Sequence, residues 1–478
     1  MKKLLSKLLS SDMIMLLAAS CIIWTLCAGP LYESLYYKMA KPGMFMFIIS
    51  SAALFLALYL YIAFVFPQRS RHELKMAIHL AEFTLFIDFA NLVSLPMNVF
   101  RSGMTIRSVN DTAKDALVNN ILLIGTAAAA IIFFSIISDK QPSANKKPKH
   151  KIKSTVWAKI IFFANFISAS LLIIARFTTD RGIDTTTIFH KQVGAIIMAM
   201  LVAETDIIYN IFFDPRRQIH GNKTKYAWAV AGSIVLLLGS FALRSEMGLP
   251  LFYVGALLCW YYFCIPEKKV RFRNKLLMQE KFPYIYLSFI ISLLLILLVA
   301  GLFIFYFAIY QRGLVGADDL GSLGSKLDRF KCDSIQVNQA VDRIASAGLL
   351  YQLDYAQVIE GMSDCSFAHC THYIGIIWSL LTISFLTMTA LSGFCHIHDT
   401  KKSGRPLSPL FCVSLCFILL MSINNILANL GITPLIGVSC FASGYGNTHY
   451  ILCGLLLGAV LYPHTPTVSN NTIEGGSN

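Results

Sequence analysis

Long runs of apolar residues, separated by short polar segments, make up nearly the whole chain. An apolar run of about 18 residues is long enough to cross the roughly 30 Å hydrocarbon core of a bilayer as a helix. About twelve segments of this kind occur, at residues 13–29, 44–66, 76–96, 117–138, 156–177, 189–213, 226–243, 249–265, 283–310, 373–394, 409–430 and 448–462. The pattern predicts an all-α polytopic membrane protein, with residues 1–462 forming one multi-span membrane domain.

The composition agrees with this interpretation. Of the 478 residues, 56% are hydrophobic and 14% are charged, whereas soluble domains carry about 25% charged residues. The formal net charge of +14 does not indicate a nucleic-acid partner, because the basic residues are confined to short stretches between the apolar runs. The expected surroundings are a lipid bilayer.

The connecting segments alternate between basic and poorly basic, which predicts the orientation of the chain. Lys and Arg concentrate in cytoplasmic loops of membrane proteins. The basic segments are PQRSRHELK, DKQPSANKKPKHKIKST, DPRRQIHGNKTK, EKKVRFRNKLLMQEK and HIHDTKKSGRP. Every one of them falls on the same side if the N-terminus is cytoplasmic, so we expect both termini in the cytoplasm. The polar tail at 463–478 is expected to be disordered.

One predicted extracytoplasmic loop, at 311–372, is about sixty residues long. Loops longer than about 15 residues are usually functional or disordered. Apolar residues recur at helical spacing within it, as at Val341, Ile344, Leu349 and Leu350. We therefore expect short amphipathic helices that lie on the membrane surface.

Ionisable residues within the predicted spans are candidates for function, since each costs about 2.5 to 3.5 kcal/mol to insert. They either line a polar path or form structural pairs. At the mouth of the fourth span, Asp111 and Lys114 are three residues apart, so on a helix they share a face and can pair. The other candidates are Glu82, Asp88, Glu204 and Asp206.

Asp364 lies just before a predicted span, in the stretch EGMSDCSFAH. The first turn of a helix that enters the membrane favours a carboxylate, so one interpretation of Asp364 is a simple helix cap. The nearby soft ligands allow two others, a zinc site or a disulfide from Cys332 to Cys365 or Cys370. The ligands in question are Cys365, His369, Cys370 and His372.

Residues 425–447, NILANLGITPLIGVSCFASGYGN, resemble the signature of the SEDS family (shape, elongation, division and sporulation; RodA and FtsW), N-I-G-x-x-x-G-x-x-P-x-x-G-V-P-x-P-x-x-S-Y-G-G. The matching residues are Asn425, Ile426, Gly431, Pro434, Gly437, Val438, Tyr445 and Gly446. Ser439 and Phe441 replace the two prolines of V-P-x-P.

Three further segments resemble the same family. QVNQAVDRIASAGLL at 336–350 is similar to Q-x-x-Q-S-x-x-A-I-x-S-G-G-L, and EGMSDCSFA at 360–368 is similar to P-E-A-H-T-D-F-I-F-A. SVNDTAKDALVNNILLI at 108–124 resembles Q-P-S-E-L-A-K-L-A. The family's core has ten spans, so the resemblance implies an extra hairpin at 226–265.

The resemblance implies a peptidoglycan glycosyltransferase that polymerises glycan strands from lipid II, in cell shape, elongation or division, in the bacterial cytoplasmic membrane. It implies Asp364 as the catalytic base and a class B penicillin-binding protein as the partner. The residues implied to line the cavity or bind substrate are Asp111, Lys114, Gln336, Gln339, Glu360 and Tyr445.

No soluble cofactor is expected. The pyrophosphate leaving group needs positive charge, from basic side chains or from a divalent cation such as Mg²⁺ or Mn²⁺. Two alternatives to a polymerase remain open at this point. One is a transporter or lipid flippase whose path is lined by the intramembrane carboxylates, and the other is a catalytically silent SEDS-like scaffold for a penicillin-binding protein.

Overall fold

Helices account for almost all of the described structure. The computed structural model describes residues 10–36, 41–66, 69–101, 106–138, 154–178, 187–188, 191–209, 223–243, 248–264, 335–351, 364–402, 408–433, 438–443 and 447–462. These residues contain thirteen α-helices and one minimal hairpin, in which β1 (Thr187–Ile188) pairs with β2 (Lys191–Gln192) in antiparallel fashion.

The helices are numbered in chain order. The first eight are α1 (Ser11–Tyr36), α2 (Lys41–Val65), α3 (Arg71–Arg101), α4 (Ile106–Ser138), α5 (Ser154–Thr178), α6 (Gly194–Ile208), α7 (Lys223–Leu243) and α8 (Gly248–Cys264). The last five are α9 (Ile335–Ala345), α10 (Ser366–Ile374), α11 (Ile376–Lys402), α12 (Pro409–Asn429) and α13 (Asn447–Leu461).

The chain is a helical membrane protein. Within the described residues, six helices are long and apolar enough to cross a bilayer, namely α1, α2, α4, α5, α11 and α12. Of the residues in α12, 78% are buried, against about a third in most of the other five, so α12 is the central helix. Large apolar side chains such as Ile121, Phe163 and Leu380 are exposed on the outside of the bundle, as expected of side chains that face lipid.

Eleven of the twelve predicted spans overlap a helix, and the twelfth, at 283–310, lies outside the described residues. The span predicted at 189–213 starts too early, because residues 191–192 form β2 and α6 begins at Gly194. The prediction of a span beginning at residue 373 is wrong in its boundary. The chain breaks at Gly375, which separates the short helix α10 from α11. Gly375 has φ +109°, and a Cβ there would lie 2.6 Å from the carbonyl oxygen of Leu349, so only glycine fits this break.

Helices α4 and α13 run parallel to each other in close contact. A Cβ on Gly454 would lie 2.6 Å from the carbonyl oxygen of Leu123, and one on Gly458 would lie 2.5 Å from that of Ala127. These two glycines form a G-x-x-x-G face of the kind that lets membrane helices approach closely. Further along both helices in the same direction, the rings of Phe134 and Tyr462 are 6.2 Å apart. The starts of α4 and α13 therefore lie at the same end of the bundle.

Two ends of the bundle can be defined by such contacts. The basic end carries residues 66, 69–73, 396–402 and 461–462, where His72 lies 3.6 Å from Asp399 and the Tyr61 hydroxyl donates to the Leu461 carbonyl at 3.0 Å. The site end carries the starts of α4 and α13, all of α9, the turn at 364–365 and residues 430–433 and 438–443. The candidate site therefore lies at the end of the bundle opposite the basic one.

Candidate functional site

Helix α10 is enclosed by the rest of the protein. All nine of its residues are buried, and it packs against α1, α3, α9, α11 and α12. Although residues 366–372 fall within the predicted loop, α10 lies in the interior of the protein. Polar partners are present there for its polar residues Ser366, His369, Thr371 and His372.

The turn that precedes α10 is held by two asparagines of the central helix. The side-chain amides of Asn425 and Asn429 both donate to the main-chain carbonyl of Asp364, at 3.0 and 2.9 Å. The Oδ1 atom of Asn429 accepts from the main-chain amide of Ala368 at 3.0 Å, and Asn425 also donates to the Val438 carbonyl at 3.2 Å. Because the two asparagines are four residues apart, they share one face of α12. From that face they bind the main chain at Asp364 and at Ala368.

Asp364 itself is 7% exposed. It lies one residue before the N-cap of α10, which is Cys365 rather than the carboxylate predicted by the simple cap interpretation. The turn thus combines a fixed main chain with an acidic side chain at the site end of the bundle.

Further contacts fix α10 along its length. The Ser366 hydroxyl lies 2.9 Å from that of Ser443, in the segment between α12 and α13. One turn later, the Cys370 thiol donates to Oδ1 of Asn91 on α3 at 3.6 Å. The side chain of His372 lies 3.3 Å from the carbonyl oxygen of Arg343 on α9. Three separate elements therefore position the helix that follows Asp364.

Helix α9 is an amphipathic helix within the long loop, as predicted from Val341 and Ile344, whereas Leu349 and Leu350 lie beyond its end and are exposed. Its apolar face, with Val337, Ala340 and Val341, packs onto α10 and onto the end of α12. Gly431 has φ +73° there, and a Cβ on it would lie 3.1 Å from Cγ2 of Val341. The amides of Ile376 and Ile377 then donate to the carbonyls of residues 348 and 349. The segment 336–350 is thereby fastened to both α11 and α12.

No protein-family model matches the chain, and no curated protein matches it in a sequence search.

The remaining predicted site residues divide into described and undescribed ones. Gln336 and Gln339 lie half-buried on α9, and their Oε1 atoms are buried without a hydrogen-bond partner among the described residues. Lys114 is exposed on α4. Asp111 belongs to the same helix, but its side chain lies outside the described residues, as do Glu360 and Tyr445. The predicted pairing of Asp111 with Lys114 stays a prediction.

The intramembrane carboxylates have polar partners. His79 Nδ1 lies 2.8 Å from Glu82 Oε2 one turn along α3. The amide of Asn120 on α4 donates to Asp88 Oδ2 at 3.0 Å, and that of Asn165 on α5 donates to Glu204 Oε2 at 3.0 Å. Asp206 is half-buried on α6. These contacts favour the structural interpretation of the first three carboxylates over a continuous path.

The cysteines near the site are buried thiols. Cys365 and Cys370 are 0% and 1% exposed, whereas Cys332 lies outside the described residues, so the predicted disulfide stays a prediction. In the part of the chain that is described, no group of three or more His, Cys, Asp or Glu side chains is arranged to hold a metal ion. Neither the zinc hypothesis nor a divalent cation gains support from these residues. Burial raises the pKa of the Cys440 thiol to about 12, so it is neutral at physiological pH.

Asn429, Ser443 and Asn91 were missed in the sequence, although they position the site. A signal for Asn429 was present, because an Asn pair four residues apart is unusual within a span as apolar as 409–430. The partners of Asn91 and Ser443 are more than seventy residues away along the chain. No local pattern could have found them.

Proposed function

We propose that the protein is a peptidoglycan glycan-strand polymerase of the SEDS type, which uses lipid II at the outer face of the bacterial cytoplasmic membrane. The observation that carries the proposal is a convergence in space. The segments at 336–350, 360–368 and 425–447 resemble separate family motifs, and their described parts, at 336–350, 364–368, 425–433 and 438–443, pack against one another around the turn at Asp364. The fourth segment, at 108–124, begins at the same end of the bundle.

The orientation follows from the charge distribution. The basic end faces the cytoplasm under the positive-inside tendency, with both chain termini on that side. The site end then faces outward, where lipid II presents its disaccharide. About twelve spans, consisting of a ten-helix core and the hairpin at 226–265, complete this arrangement.

The reaction joins two sugars. The 4-hydroxyl of the acceptor sugar attacks the anomeric carbon of the donor, a new C–O bond forms, and the bond from that carbon to undecaprenyl pyrophosphate breaks. The carboxylate of Asp364 takes the proton from the attacking hydroxyl. A general base in this position contributes about 10² to 10⁴-fold to the rate.

The leaving pyrophosphate carries negative charge that basic side chains stabilise. Lys114 is exposed on α4 near the site end, and it matches the family's lysine, so we assign this role to it. The apolar outer faces of the spans accommodate the polyprenyl tail. A class B penicillin-binding protein would crosslink the new strand as the partner enzyme.

The test is polymerisation by the purified full chain with lipid II and a candidate penicillin-binding protein, followed by separation of the glycan products on a gel. Wild type should give a ladder, and Asp364→Asn should lose at least about 100-fold in rate. The matched control is Asp342→Asn, which makes the same chemical change at an exposed position on α9. It should leave the ladder unchanged.

Two results would contradict the proposal. A ladder that survives Asp364→Asn at the wild-type rate would remove this residue as the base. Movement of lipid II across vesicles without any polymer would favour the transporter alternative. Correct folding of each variant is checked by its thermal unfolding midpoint.

A further inference from the structure

A second polar centre lies inside the bundle, where α2, α3 and α4 meet. The side-chain amide of Asn120 donates to the Ser50 hydroxyl at 2.7 Å and to Asp88 Oδ2 at 3.0 Å. These three residues are each no more than 2% exposed. Residues from α2 and α3 therefore meet at the side-chain amide of Asn120 on α4.

This centre has more acceptors than donors. The Oδ1 atoms of Asp88 and Asn120 are buried and have no hydrogen-bond partner among the described residues. The same holds for Ser51 Oγ and Asn119 Oδ1, each adjacent in sequence to a member of the centre. Leaving a buried polar atom unsatisfied costs about 1 to 3 kcal/mol, and more for a charged one. The two orphaned oxygens that belong to the centre itself, Asp88 Oδ1 and Asn120 Oδ1, indicate a missing positively charged ligand.

We propose that this centre binds a monovalent hard cation, with sodium as the natural occupant. Carboxylate, amide and hydroxyl oxygens are the ligands that hard cations prefer. The centre contains one carboxylate, so a single positive charge balances it, whereas a divalent ion would leave a net charge buried among the spans. The ion joins α2, α3 and α4 and requires no movement across the membrane.

A comparable centre elsewhere in the bundle provides an internal control. Asn165 on α5 donates to Glu204 Oε2 at 3.0 Å and lies 3.4 Å from the Ser233 hydroxyl. Among the described residues, only the Oδ1 atom of Asn165 lacks a partner in this trio. The Ser233 hydroxyl donates to the carbonyl of Val230 instead. The Glu204 centre thus has the same chemical groups, but its orphaned oxygen belongs to the amide alone, whereas the Asp88 centre also has one on the carboxylate.

The position of the Asp88 centre connects it to the candidate site. Asn91 lies three residues after Asp88 on α3 and accepts the hydrogen bond from Cys370 of α10. An ion at Asp88 would therefore hold in place the part of α3 that supports α10. The sodium proposal does not depend on the polymerase assignment, because binding can be measured without any turnover.

The experiment compares the thermal unfolding midpoint of the detergent-purified full chain in sodium chloride and in choline chloride of equal ionic strength. Sodium should raise the midpoint in a saturable way, on the order of 5 °C at 100 times the dissociation constant. Asp88→Asn should abolish the difference between the two salts. Glu204→Gln should retain it. Binding of radioactive sodium to wild type gives a direct second measurement.

Each outcome decides the proposal. Equal unfolding midpoints in sodium, potassium and choline chloride would overturn the proposal. A midpoint that responds to pH but not to sodium would also overturn it, because Asp88 would then carry a proton instead of binding an ion. If Asp88→Asn fails to fold, Ser50→Ala replaces it and should weaken sodium binding while the protein stays folded. Unchanged sodium binding in Ser50→Ala and the absence of bound radioactive sodium in wild type would both count against the site.

Discussion

The asparagines of α12 and those of α4 and α5 use the same amide group on different partners. At the site end, Asn425 and Asn429 donate to main-chain oxygens and fix the turn at Asp364. In the interior, Asn120 and Asn165 donate directly to the carboxylates of Asp88 and Glu204. The first arrangement fixes the position of an acidic residue, and the second stabilises the acidic group itself.

The difference matters because of where the charges lie. A carboxylate buried among apolar helices is costly unless a hydrogen-bond donor or a cation accompanies it. The carboxylate of Asp364 is also largely buried, and its use as a base additionally requires a fixed main chain. We therefore expect substitutions at the site end to act through the backbone and those in the interior to act through charge.

The largest effect is expected from Asn429→Leu. This change removes one donor to the Asp364 carbonyl and leaves the buried amide of Ala368 without its acceptor. We expect a loss of about 2 to 4 kcal/mol in the free energy of unfolding. The loss is measured by thermal or denaturant unfolding of the purified protein in detergent.

The control for this prediction is Asn424→Leu, which makes the same chemical change on the same helix at a half-buried position. It should cost no more than about 0.5 kcal/mol. If the two variants lose equal stability, the hydrogen bonds of Asn429 do not carry the effect and the comparison between the two regions fails.

A smaller effect is expected from Gly375→Ala. An alanine at φ +109° is strained, and its Cβ would press against the Leu349 carbonyl. We expect a cost of about 1 to 3 kcal/mol together with slower polymerisation, because the break between α10 and α11 would shift. Thermal unfolding and the glycan ladder measure the two effects.

Gly232→Ala is the matched control, since a Cβ at Gly232 in α7 meets nothing within 4 Å. It should stabilise the protein by about 0.5 to 1 kcal/mol, through the better helix propensity of alanine. If Gly375→Ala and Gly232→Ala both lose stability, the cost of Gly375→Ala cannot be assigned to the backbone geometry at residue 375.

Much of the fold could be predicted from the sequence, because a run of twenty apolar residues has few alternatives to a membrane helix. Helix α10 could not. Its polar residues Ser366, His369 and Thr371 match a solvated loop in composition, and their burial depends on partners in other helices. Local pattern does not distinguish these two environments.

The site shows the same limit. Asp364 and Asn425 could be selected by resemblance, but the amide of Asn425 meets the main-chain carbonyl of Asp364 across 61 residues of sequence. The choice of a main-chain partner rather than the carboxylate is a matter of three-dimensional packing. Hydrogen bonds between distant helices have no signature in a single sequence.

The smallest effect is expected from Glu204→Gln. The glutamine side chain keeps an oxygen that can accept from Asn165 and removes a charge from the bundle interior. Because replacing a buried charged group by a neutral one of the same shape is often neutral or favourable, we expect stability to change by less than about 1 kcal/mol, or to rise. Unfolding and polymerisation should both stay near wild type, in contrast to the loss of the ladder in Asp364→Asn. A drop of stability well beyond 1 kcal/mol would mean that the Glu204 charge has a second partner, and the interior carboxylates would then need to be regarded as a connected path rather than as separately stabilised groups.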